Sequence, residues 1–446
     1  MARGTHVRRG FLAVLASGAL LLAAAGPAEA GSLKRVNYRS AADDPAKTNF
    51  KFFDRGGLTM EGNCAGGSLT VEVGTKVDGA MIHADSQFDG GDGAAYREDD
   101  DWDSNEDFDL FSTFPEDDDS GHIVYARSGG KVVTVDWLSE TSADDDPYGG
   151  DKNKDCVFVG TARVLDSSFA DRINYRADAD DPPKTFKRGG LSLTASCEGG
   201  QLLVEADTNT ENSMLFHNIQ FPHDEGQTFE DAFGSFESDF DPGSPITVFG
   251  ATQADHNTGA AVYGRPGGIN VTAVWAGEDQ DNGDEAFGKD CVFVGTMRRR
   301  VTGDAKRVNF RFSGDTTAPV TFFNQGGLKL RATCDPDSPF DPLDVLPEVS
   351  GDHRLLHANT NSLAEGIDYG EDDDILVSEN GTRGLFGAPP ALLHHGSAEE
   401  SGQLLFSTPG GTYTTINWAA HGEEGFEPFG GTKDCAFVGT AEISKP

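Results

Sequence analysis

The chain has 446 residues and carries 74 acidic against 35 basic side chains, which gives a formal net charge of −39 at pH 7. Proteins that bind nucleic acid or anionic membranes need clustered Lys and Arg, so this charge argues against both kinds of partner. The negative field instead favours solubility and the attraction of cations.

The first thirty residues have the pattern of a secretory signal. Three arginines precede the apolar run Phe11 to Ala25, and Ala28-Glu29-Ala30 supplies a small-x-small cleavage motif. The apolar run is about fifteen residues long, which is shorter than the roughly 20 residues that a membrane-spanning helix needs. We therefore expect residues 1–30 to be a cleaved signal peptide and the mature protein to be secreted to the extracellular space, without a membrane span.

Four short sequence blocks recur three times along the chain, at a spacing of about 135 residues. The first is Arg-aliphatic-Asn-aromatic-Arg, and the second is Gly-Gly-Leu followed six residues later by a cysteine. The third places a tryptophan seven residues after a Gly-Gly pair, and the fourth is a closing block, Cys-x-(Phe)-Val-Gly-Thr, that begins at Cys156, Cys291 and Cys435. This recurrence predicts three domains of one kind, at 31–165, 171–300 and 305–446.

Apolar residues alternate with other residues inside these blocks, which is typical of strands rather than helices. In the tryptophan block Val133, Val135 and Trp137 share one parity, and in the closing block Cys156 and Phe158 do the same. Gly-Gly, Gly-Asp and Asp-Pro pairs separate the short strands. The pattern predicts an all-β chain of three tandem antiparallel β-sandwich repeats that are jelly-roll-like.

The six cysteines are expected to form disulfides, because an oxidising compartment favours them and the chain has no Cys-x-x-Cys pair for zinc. Each repeat holds one early and one late cysteine with inward parity. Each disulfide would close a loop of about a hundred residues, worth roughly 4–5 kcal/mol in the chain-entropy model. The predicted pairs are Cys64–Cys156, Cys197–Cys291 and Cys334–Cys435.

A histidine follows the strand after the first cysteine in each repeat, at His83, His217 and His357. No Cys, His or carboxylate keeps a constant offset from these histidines, so a structural role is favoured over a ligand or an acid–base group. The most acidic segment, residues 85–119, is expected to be a solvated loop, because like charges at this density repel one another.

Two segments before the closing blocks resemble calcium loops loosely. Oxygen donors stand at alternating positions in one and close together in the other, but neither segment matches the full twelve-residue pattern. We therefore expect no required cofactor, with Ca²⁺ as an open possibility. The candidate ligands are Asp151, Asn153 and Asp155 in the first segment, and Asp279, Asp281 and Asp284 in the second.

The sequence contains no Gly-x-Ser-x-Gly, His-Glu-x-x-His, phosphate-loop or dinucleotide motif. We therefore expect a secreted, non-catalytic binding or structural protein of the extracellular space or cell surface, whose partner is an unidentified extracellular protein or glycan. One alternative is a secreted carbohydrate-active hydrolase or lyase that uses a carboxylate pair. The other is a calcium-dependent assembly or adhesion protein that uses the acidic loops.

Overall fold

A computed structural model gives the structure of residues 32–446 of the chain, in which strands account for nearly all regular structure. One short 3₁₀ turn lies at Ala286–Gly288. The positions that the structure does not describe within this range are 89–92, 105, 111–117, 142–147, 149–154, 167–168, 221–231, 251–255, 280–285, 300–304, 315, 317, 336–342, 350–354, 363–365, 373–398, 423–428 and 430–432.

The first ten strands form two antiparallel sheets. The larger sheet has the order β1-β10-β9-β8-β5-β6, and the smaller one has the order β2-β3-β4-β7. The strands are β1 (Ser32–Ser40), β2 (Phe50–Arg55), β3 (Leu58–Ala65), β4 (Ser68–Thr75), β5 (Ala80–Phe88), β6 (Gly93–Trp102), β7 (Asp107–Asp109), β8 (Asp118–Arg127), β9 (Val132–Thr141) and β10 (Cys156–Leu165).

The next ten strands repeat this arrangement. Their larger sheet has the order β11-β20-β19-β18-β15-β16, and their smaller one has the order β12-β13-β14-β17. The strands are β11 (Arg172–Ala177), β12 (Lys184–Arg188), β13 (Leu191–Glu198), β14 (Gln201–Thr208), β15 (Ser213–Gln220), β16 (Ala232–Phe240), β17 (Ile246–Phe249), β18 (His256–Gly264), β19 (Asn270–Asp279) and β20 (Cys291–Arg299).

The last nine strands form the third copy. Its larger sheet has the order β21-β29-β28-β27-β25-β26, and the described part of its smaller sheet has the order β22-β23-β24. The strands are β21 (Ala305–Phe312), β22 (Val320–Gln325), β23 (Leu328–Cys334), β24 (Leu343–Val349), β25 (Leu355–Ser362), β26 (Gly366–Asp372), β27 (Glu399–Ser407), β28 (Tyr413–His421) and β29 (Cys435–Ser444).

Each pair of sheets encloses its own apolar core, as the alternating pattern predicts. In the first repeat Trp137 and Phe158 stack with ring centroids 5.0 Å apart, within a cluster that also contains residues of β3 and β4. A disulfide joins the smaller sheet to the closing strand of the larger sheet in every repeat. The three bonds are Cys64–Cys156, Cys197–Cys291 and Cys334–Cys435, the same pairs that inward parity predicts.

The glycine of the closing block is required by a close approach of two backbones. Gly160 lies opposite Trp137 in the neighbouring strand β9. A Cβ atom at Gly160 would stand 2.1 Å from the carbonyl oxygen of Asp136, and Gly295 and Gly439 are equally crowded. Only a residue without a side chain fits where backbone approaches this closely.

The expectation that residues 85–119 form a solvated loop is wrong for the described part of that segment. Strand β6 pairs with β5, and β7 pairs with β4. Trp102 is fully buried, and the carboxylates of Asp85 and Asp119 belong to residues that are only 4% exposed. Cross-strand pairing and burial of one aromatic residue therefore outweigh the repulsion among the neighbouring carboxylates.

Replacement of Gly160 by alanine tests this backbone constraint. We expect Gly160→Ala to lower the free energy of unfolding by about 3 kcal/mol, because the carbonyl of Asp136 has to move. The matched control is Gly129→Ala in a turn of the same repeat, where the nearest atoms are the end of the Arg127 side chain at 3.6 Å. Chemical denaturation measures the free energy of unfolding of both variants. Equal values for the two would contradict a backbone constraint at Gly160.

Candidate functional site at the junction of the three repeats

The outer face of each larger sheet is buried against the other repeats. Strand β9 contacts β20, β19 contacts β29, and β28 contacts β10. In each case the tryptophan strand of one repeat meets the closing strand of another, so the three contacts form a closed cycle. Every residue of β9, β19, β28 and β29 is buried as a result.

Threonines at equivalent positions mark this cycle. The final threonine of each closing block faces outward and meets a threonine on the neighbouring tryptophan strand, directly at two boundaries and through Arg298 at the third. The contacts are Thr161–Thr415 at 3.2 Å, Thr272–Thr440 at 2.6 Å, and Thr296 and Thr134 as acceptors from Arg298 at 3.3 and 2.8 Å.

The second arginine of each opening block reaches the turn that precedes the tryptophan strand of a neighbouring repeat. There its guanidinium donates to a backbone carbonyl, which gives a directional contact at each boundary. The donors and acceptors are Arg39 to Pro409 O at 2.9 Å, Arg176 to Arg127 O at 2.8 Å, and Arg311 to Arg265 O.

An aromatic residue in the left-handed backbone region packs on each of these arginines. Its φ lies between 54° and 60°, a conformation that bulky residues rarely adopt. The ring and the guanidinium form a cation–π contact within the same repeat. The pairs are Arg39–Tyr148 at 4.5 Å, Arg176–Phe287 at 3.4 Å and Arg311–Phe429 at 3.8 Å.

Three equivalent charged residues of the closing strands converge where the repeats meet. Each stands three positions after the glycine of its block, and they are Arg163, Arg298 and Glu442. Arg163 Nε donates to Glu442 Oε1 at 2.9 Å, and Arg298 Nη1 lies 3.7 Å from Glu442 Oε2. Arg298 also donates to Asp136 Oδ2 at 2.7 Å. All four side chains are at most 5% exposed.

His122 links this cluster to a second carboxylate. Its Nδ1 lies 2.9 Å from Asp136 Oδ1, and its backbone N–H donates to Asp85 Oδ1 at 2.7 Å. The other oxygen of Asp85 accepts from the hydroxyl of Thr258 at 3.0 Å. Gln403 Nε2 lies 3.3 Å from His122 Nδ1, so side chains from all three repeats meet here.

A small cavity opens beside Asp85 and His122. Its volume is about 30 Å³, and its lining includes Thr258, Ser401 and Asn417. The Oγ atom of Ser401 is buried there without a hydrogen-bond partner among the described residues. The size and polarity suit a single water molecule, and the volume is far below the roughly 300 Å³ of a small-molecule site.

The charges of this cluster shift its pKa values in different directions. Burial opposes ionisation of Asp136, but the charge of Arg298 and the hydrogen bond from His122 outweigh it and hold the Asp136 pKa well below its usual range. Burial raises the pKa of Asp85. Burial alone would lower the pKa of His122, but the charge of Asp85 and the hydrogen bond to Asp136 outweigh it, so this pKa is raised.

The Asp136–His122 pair has the form of an acid–base dyad. Among the described residues, no serine or threonine hydroxyl lies within hydrogen-bond distance of the His122 ring. A dyad needs such a hydroxyl, or a substrate, within about 3 Å of the histidine. The pair also takes part in contacts between repeats, since Arg298 donates to Asp136 and Gln403 lies beside the His122 ring.

The two candidate calcium ligands that the structure describes, Asp155 and Asp279, lie in different environments. Asp155 Oδ2 accepts the backbone N–H of Ala42 at 2.7 Å. Asp279 is buried at the end of β19 opposite Cys291. The other four candidates, Asp151, Asn153, Asp281 and Asp284, lie outside the described residues. Within the part of the chain that is described, no three His, Cys, Asp or Glu side chains form a metal-binding group.

The three histidines after the first cysteine do not occupy one equivalent position. His83 lies opposite Val124 and His357 lies opposite Leu405, but His217 lies opposite Ala261, one residue further along its strand. The ring of His217 is 2% exposed and makes no hydrogen bond among the described residues. Burial lowers its pKa to about 4. The sequence repeat of this histidine is therefore only approximate.

Sequence reasoning missed the junction residues. The signal was present in the closing block, where Val157 and Val159 alternate with Cys156 and Phe158. A strand that is apolar on both faces is typical of burial on both faces. Asp136, His122 and Arg298 carry no such signal, because the contacts that join them into one cluster cross between strands and between repeats.

Comparison with known proteins finds no protein-family model that matches this chain and no significant match among curated proteins. Among the residues that the structure describes, no helix is long and apolar enough to cross a bilayer.

Removal of the charge of Glu442 tests the junction. We expect Glu442→Gln to lower the free energy of unfolding by about 3–5 kcal/mol, because Arg163 and Arg298 lose a buried counter-charge. Asp54→Asn is the matched control, since Asp54 pairs with Lys76 at 2.5 Å on the exposed surface and should cost under about 1 kcal/mol. If denaturant titrations give similar losses of unfolding free energy for the two variants, Glu442 is not a buried counter-charge at the junction.

The low pKa of His217 predicts a loss of stability in acid. The unfolded chain protonates this histidine near pH 6.5 and the folded chain only near pH 4. The free energy of unfolding therefore decreases by about 3 kcal/mol as the pH falls through this window. His217→Ala, which matches Ala84 and Ala358 at the equivalent register position, should remove that loss in melts from pH 7 to pH 4. An unchanged pH profile would show that His217 is not buried neutral.

Proposed function

We propose that this chain is a secreted, non-catalytic binding or structural protein of the extracellular space, in which three β-sandwich-like repeats act as one rigid body. The main observation in support of this proposal is the closed cycle of contacts between tryptophan strands and closing strands. His122 and Asp136, which have the form of an acid–base pair, form part of this internal junction. Three disulfides suit an oxidising compartment.

The packing determines which surfaces remain for a partner. The outer faces of the larger sheets are buried along the closing strands, so the smaller sheets are the repeated surfaces that face outward. Their edge strands β2, β12 and β22 are largely exposed. Lys51, Thr185 and Thr321 are exposed at equivalent register positions on these strands.

Three similar surfaces on one rigid body favour multivalent binding. Weak contacts at separate sites add as avidity when the geometry allows simultaneous engagement. A cell-surface glycan or a repetitive extracellular protein offers such repeated ligands. We propose this class of partner, with the smaller sheets as the contact surfaces.

Binding of the full chain to arrayed glycans and extracellular matrix proteins tests the proposal. We expect retention of an unaltered ligand, with stepwise loss when Lys51→Glu, Thr185→Glu and Thr321→Glu are introduced singly and then together. Each altered repeat should weaken retention about tenfold, because avidity multiplies the individual affinities. Lys445→Glu, outside the smaller sheets, is the charge-matched control for Lys51→Glu.

Release of a cleaved glycan in the same assay would overturn the proposal in favour of a hydrolase or lyase. Loss of ligand on chelation, with a rise in melting temperature at millimolar Ca²⁺, would instead support the calcium-dependent alternative. If all three substitutions leave ligand retention unchanged, the smaller sheets are not the contact surfaces.

A further inference from the structure

His122 lies where charged groups from several strands face one another. Asp85 on β5 and Asp136 on β9 flank it, and Arg298 on β20 is bonded to the same Asp136. Thr258 on β18 and Gln403 on β27 complete its polar surroundings. Arg163 and Glu442 extend the cluster through Arg298.

The charge of this cluster balances only when it carries a proton. The carboxylates of Asp136 and Glu442 pair with the guanidinium groups of Arg163 and Arg298, and the carboxylate of Asp85 accepts the backbone N–H of His122. With a neutral imidazole and ionised carboxylates the junction has one net negative charge, and a proton on His122 or Asp85 removes it. An uncompensated buried charge is strongly unfavourable.

Solvent has a route to this proton. The His122 side chain is 15% exposed and lines the cavity of about 30 Å³ together with Asp85 and Ser401. The unpartnered Oγ of Ser401 offers a hydrogen bond to a water there. A proton can therefore reach the cluster without separation of the repeats.

We propose that the junction is a proton-binding site, in which His122 between Asp85 and Asp136 holds a proton that locks the three repeats together, and that loss of this proton as the pH rises loosens their packing. The contribution of this site to stability is therefore larger in mildly acidic than in alkaline surroundings. It is independent of the partner that the smaller sheets bind.

The direction of the pH dependence follows from linkage. Both His122 and Asp85 have pKa values raised by folding, so the folded chain holds this proton more tightly than the unfolded chain. The resulting stabilisation is fully present below the ordinary pKa of the free groups and is lost as the pH rises through the raised values. Asp136, whose pKa is lowered, acts in the opposite direction only in strong acid.

The repeats themselves supply conservative replacements. Gln403 and Ala260 occupy the position of His122 in the other repeats, and Asn218 occupies that of Asp85. His122→Gln and Asp85→Asn therefore introduce side chains that this architecture already accommodates. Each removes one titrating group and keeps a hydrogen-bonding side chain of similar size.

Thermal melts of the full chain from pH 6 to pH 9 test the proposal. We expect the melting temperature of the wild type to fall by about 3 °C more than that of the His122→Gln, Asp85→Asn double variant over this window. The protection factor of the His122 amide, whose N–H is bonded to Asp85, should fall as the pH rises through the same range. Lys445→Glu, a surface variant, should keep the wild-type profile.

An NMR titration of the His122 ring separates proton binding from a merely structural role. We expect a midpoint above the ordinary value of about 6.5, and a lower midpoint in Asp85→Asn, which loses the neighbouring charge. A midpoint at or below the ordinary value in the wild type would overturn the proposal. Parallel pH profiles of wild type and double variant would also overturn it, and if the double variant does not fold, Asp85→Asn alone gives the decisive titration.

Discussion

The closing strand Cys156–Leu165 and its two counterparts bury one face in the core of their own repeat and the other face against a neighbouring repeat. Cys156 and Phe158 project into the sandwich-like core, while Val157, Val159 and Thr161 project into the junction. Because a strand has only two faces, almost every residue of this strand is buried. The disulfide, the tryptophan stack and the inter-repeat contacts all depend on its position. Its glycine tolerates no side chain, because the backbone of the neighbouring tryptophan strand lies too close.

The junction shows why three repeats belong on one chain. Their equivalent charged positions hold Arg163, Arg298 and Glu442, which attract one another because they differ. Three identical residues there would bring like charges into contact in a buried site, at a cost of several kcal/mol. Divergence of the repeats therefore supplies complementary charges that identical copies could not supply. A buried ionic cluster of this kind favours one arrangement of the repeats over its alternatives.

Burial of the larger sheets also shapes what the protein can do. Groups with acid–base character, such as His122 and Asp136, are enclosed with a cavity suited to one water molecule. The smaller sheets, by contrast, keep their edge strands exposed in all three repeats. This division underlies our proposal of a role in binding or architecture, with the smaller sheets as repeated contact surfaces and the junction as the part that holds their geometry.

The sequence by itself determined the strand content, the three disulfides and the inward face of each strand, because parity and recurrence are local properties of the chain. Cys64 and Cys156 could be paired in this way, and Trp137 and Phe158 could each be placed on an inward face. Only the tertiary structure decided the outward face. The contacts of Arg298 with Asp136 and of Arg163 with Glu442 join residues more than 150 positions apart, and no local pattern encodes them. The recurrence of a histidine in each repeat was misleading for the same reason. Only the sheet register shows that His217 stands one position away from the equivalent of His83.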